Sequence, residues 1–204
     1  MKPRPIFLAL ALAMLLVGCS SPPQPQQTAA PPTAAPAPPP AATGPIAPPT
    51  TDEGMIKSAM SAAPEAVAKD ATIIALDEKM QVRTLRQGTN MWTCIPDGPS
   101  PGLDPMCVDK NGLEWVQAWL GHKNPPANKI GFGYMLMGGS DASNDDPFAT
   151  APAEGHHWVD TGPHVMILNI GSRFEGYPAT HDDTKQPFIM FPKTPYAHLM
   201  IPVK

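Results

Sequence analysis

Between Ser20 and Thr50 the chain carries 12 prolines in 31 residues, with Ala, Gln and Thr filling most of the rest. Nothing else in the sequence restricts the fold as strongly. Each proline removes an amide donor and fixes φ, so the stretch suits neither a sheet nor an uninterrupted helix. It also holds too few large apolar side chains to offset the entropy of ordering. The composition predicts an extended, polyproline II-like spacer, rising about 3.1 Å per residue to a contour near 100 Å. Serving as ligand for a proline-binding groove is the sharper alternative; lifting a domain away from a surface is the simpler use.

Ahead of this spacer, Lys2 and Arg4 precede an almost wholly apolar run, Ile6 to Val17. That is the layout of a secretory signal, with a hydrophobic core short for a membrane span. The run closes on Leu16-Val17-Gly18-Cys19, and Ser20-Ser21 follows. These four residues resemble the lipobox of bacterial lipoproteins. The resemblance implies cleavage before Cys19, a diacylglycerol on its sulfur and acylation of the new amino terminus. Two lipid signals already anchor stably, each buried methylene contributing about 0.8 kcal/mol, so three chains imply a lasting membrane attachment. Ser20 in place of Asp resembles the sorting signal for the outer membrane, which implies an envelope protein facing the periplasm. A plain signal peptide, or a membrane helix with a chance cysteine, is the competing reading.

The expected organisation is therefore a signal peptide over 1–18, a lipidated Cys19 with its Pro/Ala-rich linker over 19–50, and one domain over 51–204. After removal of the first 18 residues, 12 basic and 18 acidic side chains remain, a net charge near −6. The positive residues are scattered. Nucleic acid and anionic lipid both need clustered positive charge, so neither is an expected partner. Roughly 150 residues are enough for one domain with a real core.

With Cys19 assigned to lipid, Cys94 and Cys107 remain. An even pair in an exported chain reads as a disulfide, and the turn-rich segment between them gains from a staple worth roughly 3 kcal/mol. A thiolate metal site is the alternative, disfavoured in oxidising surroundings.

Asp52 to Lys69 has helical spacing in Met55, Ile56, Ala59, Met60, Ala63 and Val67, with Pro64-Glu65 either kinking the helix or starting a second one. Thr72–Leu76 and Met80–Leu85 read as strands around a turn at Asp77-Glu78-Lys79, and Asn90–Ile95 as the meander's continuation. Asn111 with Glu114 resembles a capping box, and Gly121 a helix stop. Between them Leu113, Val116, Trp119 and Leu120 form an apolar stripe beside Trp115. Ile130–Met137, Val165–Ile170, Phe188–Phe191 and Tyr196–Val203 read as strands, and Gly138 to Pro163 as a long irregular connection. The expected class is α+β: a mainly antiparallel sheet, two or three helices packed on one face, and one disulfide. Gly131 and Gly133 alternate with Phe132 and Tyr134, leaving one face bare enough for a close approach.

Chemistry is sparsely marked. His164-Val165-Met166 and His198-Leu199-Met200 each place imidazole and thioether two apart, on one face of a strand. Met135 and Met137 share a face in the same way. Imidazole with thioether suits copper, Cu(I) above all, and the pairs loosely resemble the His-x-Met pairs of periplasmic copper carriers without their longer spacing. His164, Met166, His198 and Met200 are thus candidate copper ligands; the plainer reading is core methionines and edge histidines bonded to carbonyls. His156-His157-Trp158 lacks zinc spacing, and His181-Asp182-Asp183 reads as a solvated loop. Asp141, Ser143 and Asp145 begin a calcium-loop pattern that fails at Asp146 and Pro152. A nucleophile elbow, P-loop and dinucleotide fingerprint are all missing, which leaves a hydrolase built from Ser140, His164 and an aspartate as an unadvertised option. The segments around Trp92-Thr93-Cys94, Asp104-Pro105-Met106-Cys107 and Gly162–Met166 resemble an exported bacterial family that implies no activity. The sequence thus supports a lipid-anchored envelope domain for binding or structural work, with copper handling as runner-up and hydrolysis third.

Overall fold

The computed structural model describes residues 47–77, 81–171, 173 and 175–203, all within one compact unit spanning 40–204. The signal segment, Cys19 and the linker as far as 46 lie outside the described residues, as do residues 78–80, on which most of the expected Asp77-Glu78-Lys79 turn falls.

Among the described residues three helices and ten strands follow one another: α1 (Asp52–Ser61), α2 (Glu65–Ala68), β1 (Thr72–Leu76), β2 (Val82–Arg86), β3 (Thr93–Ile95), β4 (Met106–Val108), α3 (Lys110–Leu120), β5 (Gly131–Met135), β6 (Gly139–Asp141), β7 (Val159–Thr161), β8 (His164–Leu168), β9 (Phe188–Met190) and β10 (His198–Pro202). Eight strands form one sheet in the order β2-β1-β3-β4-β5-β8-β10-β9, and β6 pairs with β7 in a second. All pairs are antiparallel except β1 with β3. The class is α+β, as the patterning predicts.

Thr51 Oγ1 accepts from Gly54 N at 3.1 Å and starts α1. Pro64 caps α2, so it opens a second helix rather than kinking the first. Cys94 and Cys107 stand opposite each other on β3 and β4 and are joined by a disulfide.

Four expectations need revision. The segment leading to β3 does not extend the meander beyond β2. It passes to the other side of β1 and pairs parallel to it, held by Thr72 N to Trp92 O and by Thr89 and Asn90 amides to Asp70 O. Next, α3 is capped by Asp109, whose Oδ1 accepts from Gly112 N at 2.7 Å, while Asn111 Nδ2 donates to Ile130 O. The Glu114 carboxylate meets Lys129 instead of closing a capping box. Third, the connection 138–163 is not irregular throughout, because its two ends pair as β6 and β7.

The helices also lie on both faces of the sheet. Ile73, Cys94 and Cys107 pack with Ala59, Ala62, Ala63 and Ala68 of the α1–α2 region. Their strand neighbours Ile74, Ile95 and Val108 pack with Trp115 and Val116 of α3. Successive strand residues point to opposite faces, so apolar doublets such as Ile73-Ile74 demand a layer on each side.

Candidate functional site

The face beneath α3 carries the two His-x-Met pairs. Gly133 and Met135 on β5, His164 and Met166 on β8, Met200 on β10 and Phe188 on β9 share it, because the register alternates strictly. Met135 stands opposite His164, which on its other side faces Pro202. In the next row Gly133, Met166, Met200 and Phe188 lie side by side. His198 begins the row beyond, opposite Met190. The two pairs run antiparallel, so their methionines meet while their histidines sit at opposite ends. At about 3.3 Å per residue, the imidazole rows are roughly 13 Å apart along the strands.

Both rings are held in the same tautomer. His164 Nδ1–H donates to Gly162 O at 2.8 Å, and His198 Nδ1–H to Tyr196 O at 3.0 Å. A carbonyl only accepts, so the proton must sit on Nδ1 and a neutral ring exposes its Nε2 lone pair. Burial is the first cause of neutrality, since the apolar surroundings penalise the imidazolium. It lowers His164 and brings His198 down to about 4, against the carbonyl bonds, with His164 also lowering His198.

Their surroundings differ. His198 is boxed by aromatic rings, with Trp115 at 5.3 Å and Phe191 at 5.5 Å between centroids, both edge-on. His164 is 2% exposed, and its Nε2 is a buried acceptor with no hydrogen-bond partner among the described residues. Thioethers lie beside it. A Cβ placed on Gly139 would stand 3.0 Å from Met135 Cε, 3.3 Å from Thr161 Oγ1 and 3.5 Å from His164 Cε1, so these groups converge under the β6–β7 sheet. Met166 swings toward β5, where a Cβ on Gly133 would come within 2.7 Å of its Cε. Glycine at 133 gives that methionine its room.

Among the described residues, no three His, Cys, Asp or Glu side chains are arranged to hold a metal ion. The hard-ligand options therefore find no support in geometry. His156 and His157 are exposed, as are His181, Asp182 and Asp183. Ser143 Oγ accepts from the Asp145 and Asp146 amides at 3.0 Å each, a local turn. Ser140 donates its hydroxyl to Pro101 O rather than to an imidazole.

A carboxyl cluster escaped the sequence reading. Asp104 N donates to Asp97 Oδ1 and Gly98 N to Asp104 Oδ1, each at 2.7 Å, while Asp97 Oδ2 is buried without a partner. Desolvation first, then the Asp104 carboxyl, push Asp97 up to about 6 against its bond from the Asp104 amide; desolvation and the Asp104 charge push Asp141 up to about 7. Asp97 and Asp104 lie within the turn-rich disulfide loop, and only the Asp-Gly and Asp-Pro steps there hinted at them.

The chain matches no protein-family model, no curated protein and no solved structure.

Proposed function

We propose that this chain is a lipid-anchored lipoprotein of the bacterial cell envelope, tethered through Cys19 and presenting its α+β domain for binding or structural work, in the outer membrane facing the periplasm. The Cys94–Cys107 disulfide supports the reading most directly. It stands on paired strands in the core, and such bonds persist in oxidising compartments. Leu16-Val17-Gly18-Cys19 and the spacer that follows supply the remaining support. No described helix is long and apolar enough to cross a membrane, so the acyl chains are the attachment the reading relies on. Intact-mass measurement of the full-length gene product, extracted from bacterial membranes, tests it. The expected species lacks residues 1–18 and carries acyl mass on residue 19; an unmodified Cys19 thiol would overturn the anchor.

A second reading, soft-metal binding by the domain, draws on the free Nε2 of His164 amid thioethers. Hydrolysis draws on less, because Ser140 and His164 each spend their hydrogen bond on a backbone carbonyl.

A further inference from the structure

Resting on the soft-metal reading, we propose that a single Cu(I) ion is held by His164 Nε2 together with the thioethers of Met135 and Met166, and that His198 and Met200 are not its ligands.

Three observations carry this assignment. First, His164 is oriented as metal-bound histidines are, with Nδ1–H fixed on the Gly162 carbonyl and the opposite nitrogen left as a lone pair. An acceptor buried without a donor is costly, so its retention needs an explanation. Second, the sheet register places Met135 directly across from His164 and Met166 two residues along the same strand. Gly133 lets Met166 lean toward β5, the strand that carries Met135. Third, the two imidazole rows are too widely spaced for one ion to take both rings readily, and His198 is enclosed by Trp115 and Phe191.

The ligand set also selects the ion. One neutral imidazole and two neutral thioethers in a buried apolar core offer no compensating anion, which penalises a dication such as zinc. A monovalent, soft ion with low coordination number suits them. Entry is short: His164 opens β8, two residues from the exposed Gly162, where an added Cβ would meet nothing within 4 Å.

The test uses the full-length protein in detergent micelles under anaerobic, thiol-free conditions, so that the disulfide stays closed. Cu(I), supplied as its acetonitrile complex, is partitioned against the chelator bicinchoninate. The expected result is one equivalent of Cu(I) withdrawn from the chelator, with X-ray absorption reading one nitrogen and two sulfur ligands. Met135→Leu and Met166→Leu nearly conserve volume and should each weaken retention by about tenfold or more, and His164→Gln should abolish it. His198→Gln and Met200→Leu should bind as the wild type does. Thermal unfolding of each variant establishes that it folds; should His164→Gln fail, the two leucine variants decide. No Cu(I) captured by the wild type would overturn both the assignment and the soft-metal reading. Capture that survives Met135→Leu and Met166→Leu but falls with His198→Gln or Met200→Leu would overturn the assignment alone.

Discussion

His164 and His198 reach the same buried face from adjacent strands, and each donates its Nδ1–H to the backbone carbonyl two residues earlier. Burial keeps each ring neutral against that bond, which ties stability to acidity. In the unfolded chain both rings take up a proton near pH 6.5, whereas folded His198 does so only near pH 4. Between those values the unfolded state binds more protons, so these rings subtract stability as the pH falls. The buried acids act in the opposite sense. Folded Asp141 and Asp97 hold protons up to about pH 7 and 6, against an ordinary 3.8, so they add stability as the pH falls through that range. The expected outcome is a shallow wild-type dependence between pH 7 and 4.5 in urea midpoints. His198→Gln should lower the acid loss, and Asp141→Asn should steepen it. Parallel pH curves for all three proteins would contradict the account.

Periodicity made most of this fold legible. The α+β class and the strands β1, β5, β8, β9 and β10 follow from apolar spacing and punctuation by Gly, Pro and Asp, and the disulfide from an even pair of cysteines in a chain read as exported. What escaped was partner choice. The strand pattern at Thr93–Ile95 says nothing about which edge of β1 it joins, and backbone bonds to Asp70 and Trp92 decide that. The doublets Ile73-Ile74 and Cys107-Val108 do announce a sheet covered on both faces, a signal available in the sequence. For the candidate site, the period of two placed His164 with Met166 and His198 with Met200 on common faces. It could not reveal that the pairs run head to head, that Met135 sits opposite His164, or that His164 Nε2 is buried without a hydrogen-bond partner. The first two are set by register between strands far apart in the sequence.

The cap of α3 gives a direct comparison of two neighbouring side chains. Asp109 Oδ1 accepts from Gly112 N at 2.7 Å and also from Phe132 N at 3.2 Å, so one buried carboxylate joins a helix start to β5. Asn111 makes a single bond, to Ile130 O at 2.9 Å. Asp109→Ala should therefore cost about 2 kcal/mol or more, through the lost cap and the stranded Phe132 amide. Asn111→Ala should cost about 1 kcal/mol. Chemical denaturation of both variants orders them, and an Asn111 variant the weaker of the two would return the cap to Asn111.

Close approach of α3 to the sheet depends on an absent side chain at 131. A Cβ on Gly131 would stand 2.4 Å from Gly112 N and 2.6 Å from Gly112 Cα, both backbone atoms that no rotamer can move aside. Gly131→Ala must push the first turn of α3 off β5, straining the Asp109 bonds that tie them together. The expected loss is about 3 kcal/mol, the upper range for overpacking. Gly162→Ala is the matched control, since its added methyl meets nothing within 4 Å and should shift stability by no more than about 0.5 kcal/mol. Intrinsic fluorescence serves as the readout, because Trp115 on α3 lies in the core and its emission reports the displacement. A Gly131→Ala protein with wild-type emission and midpoint would mean that α3 does not rest on β5 as described.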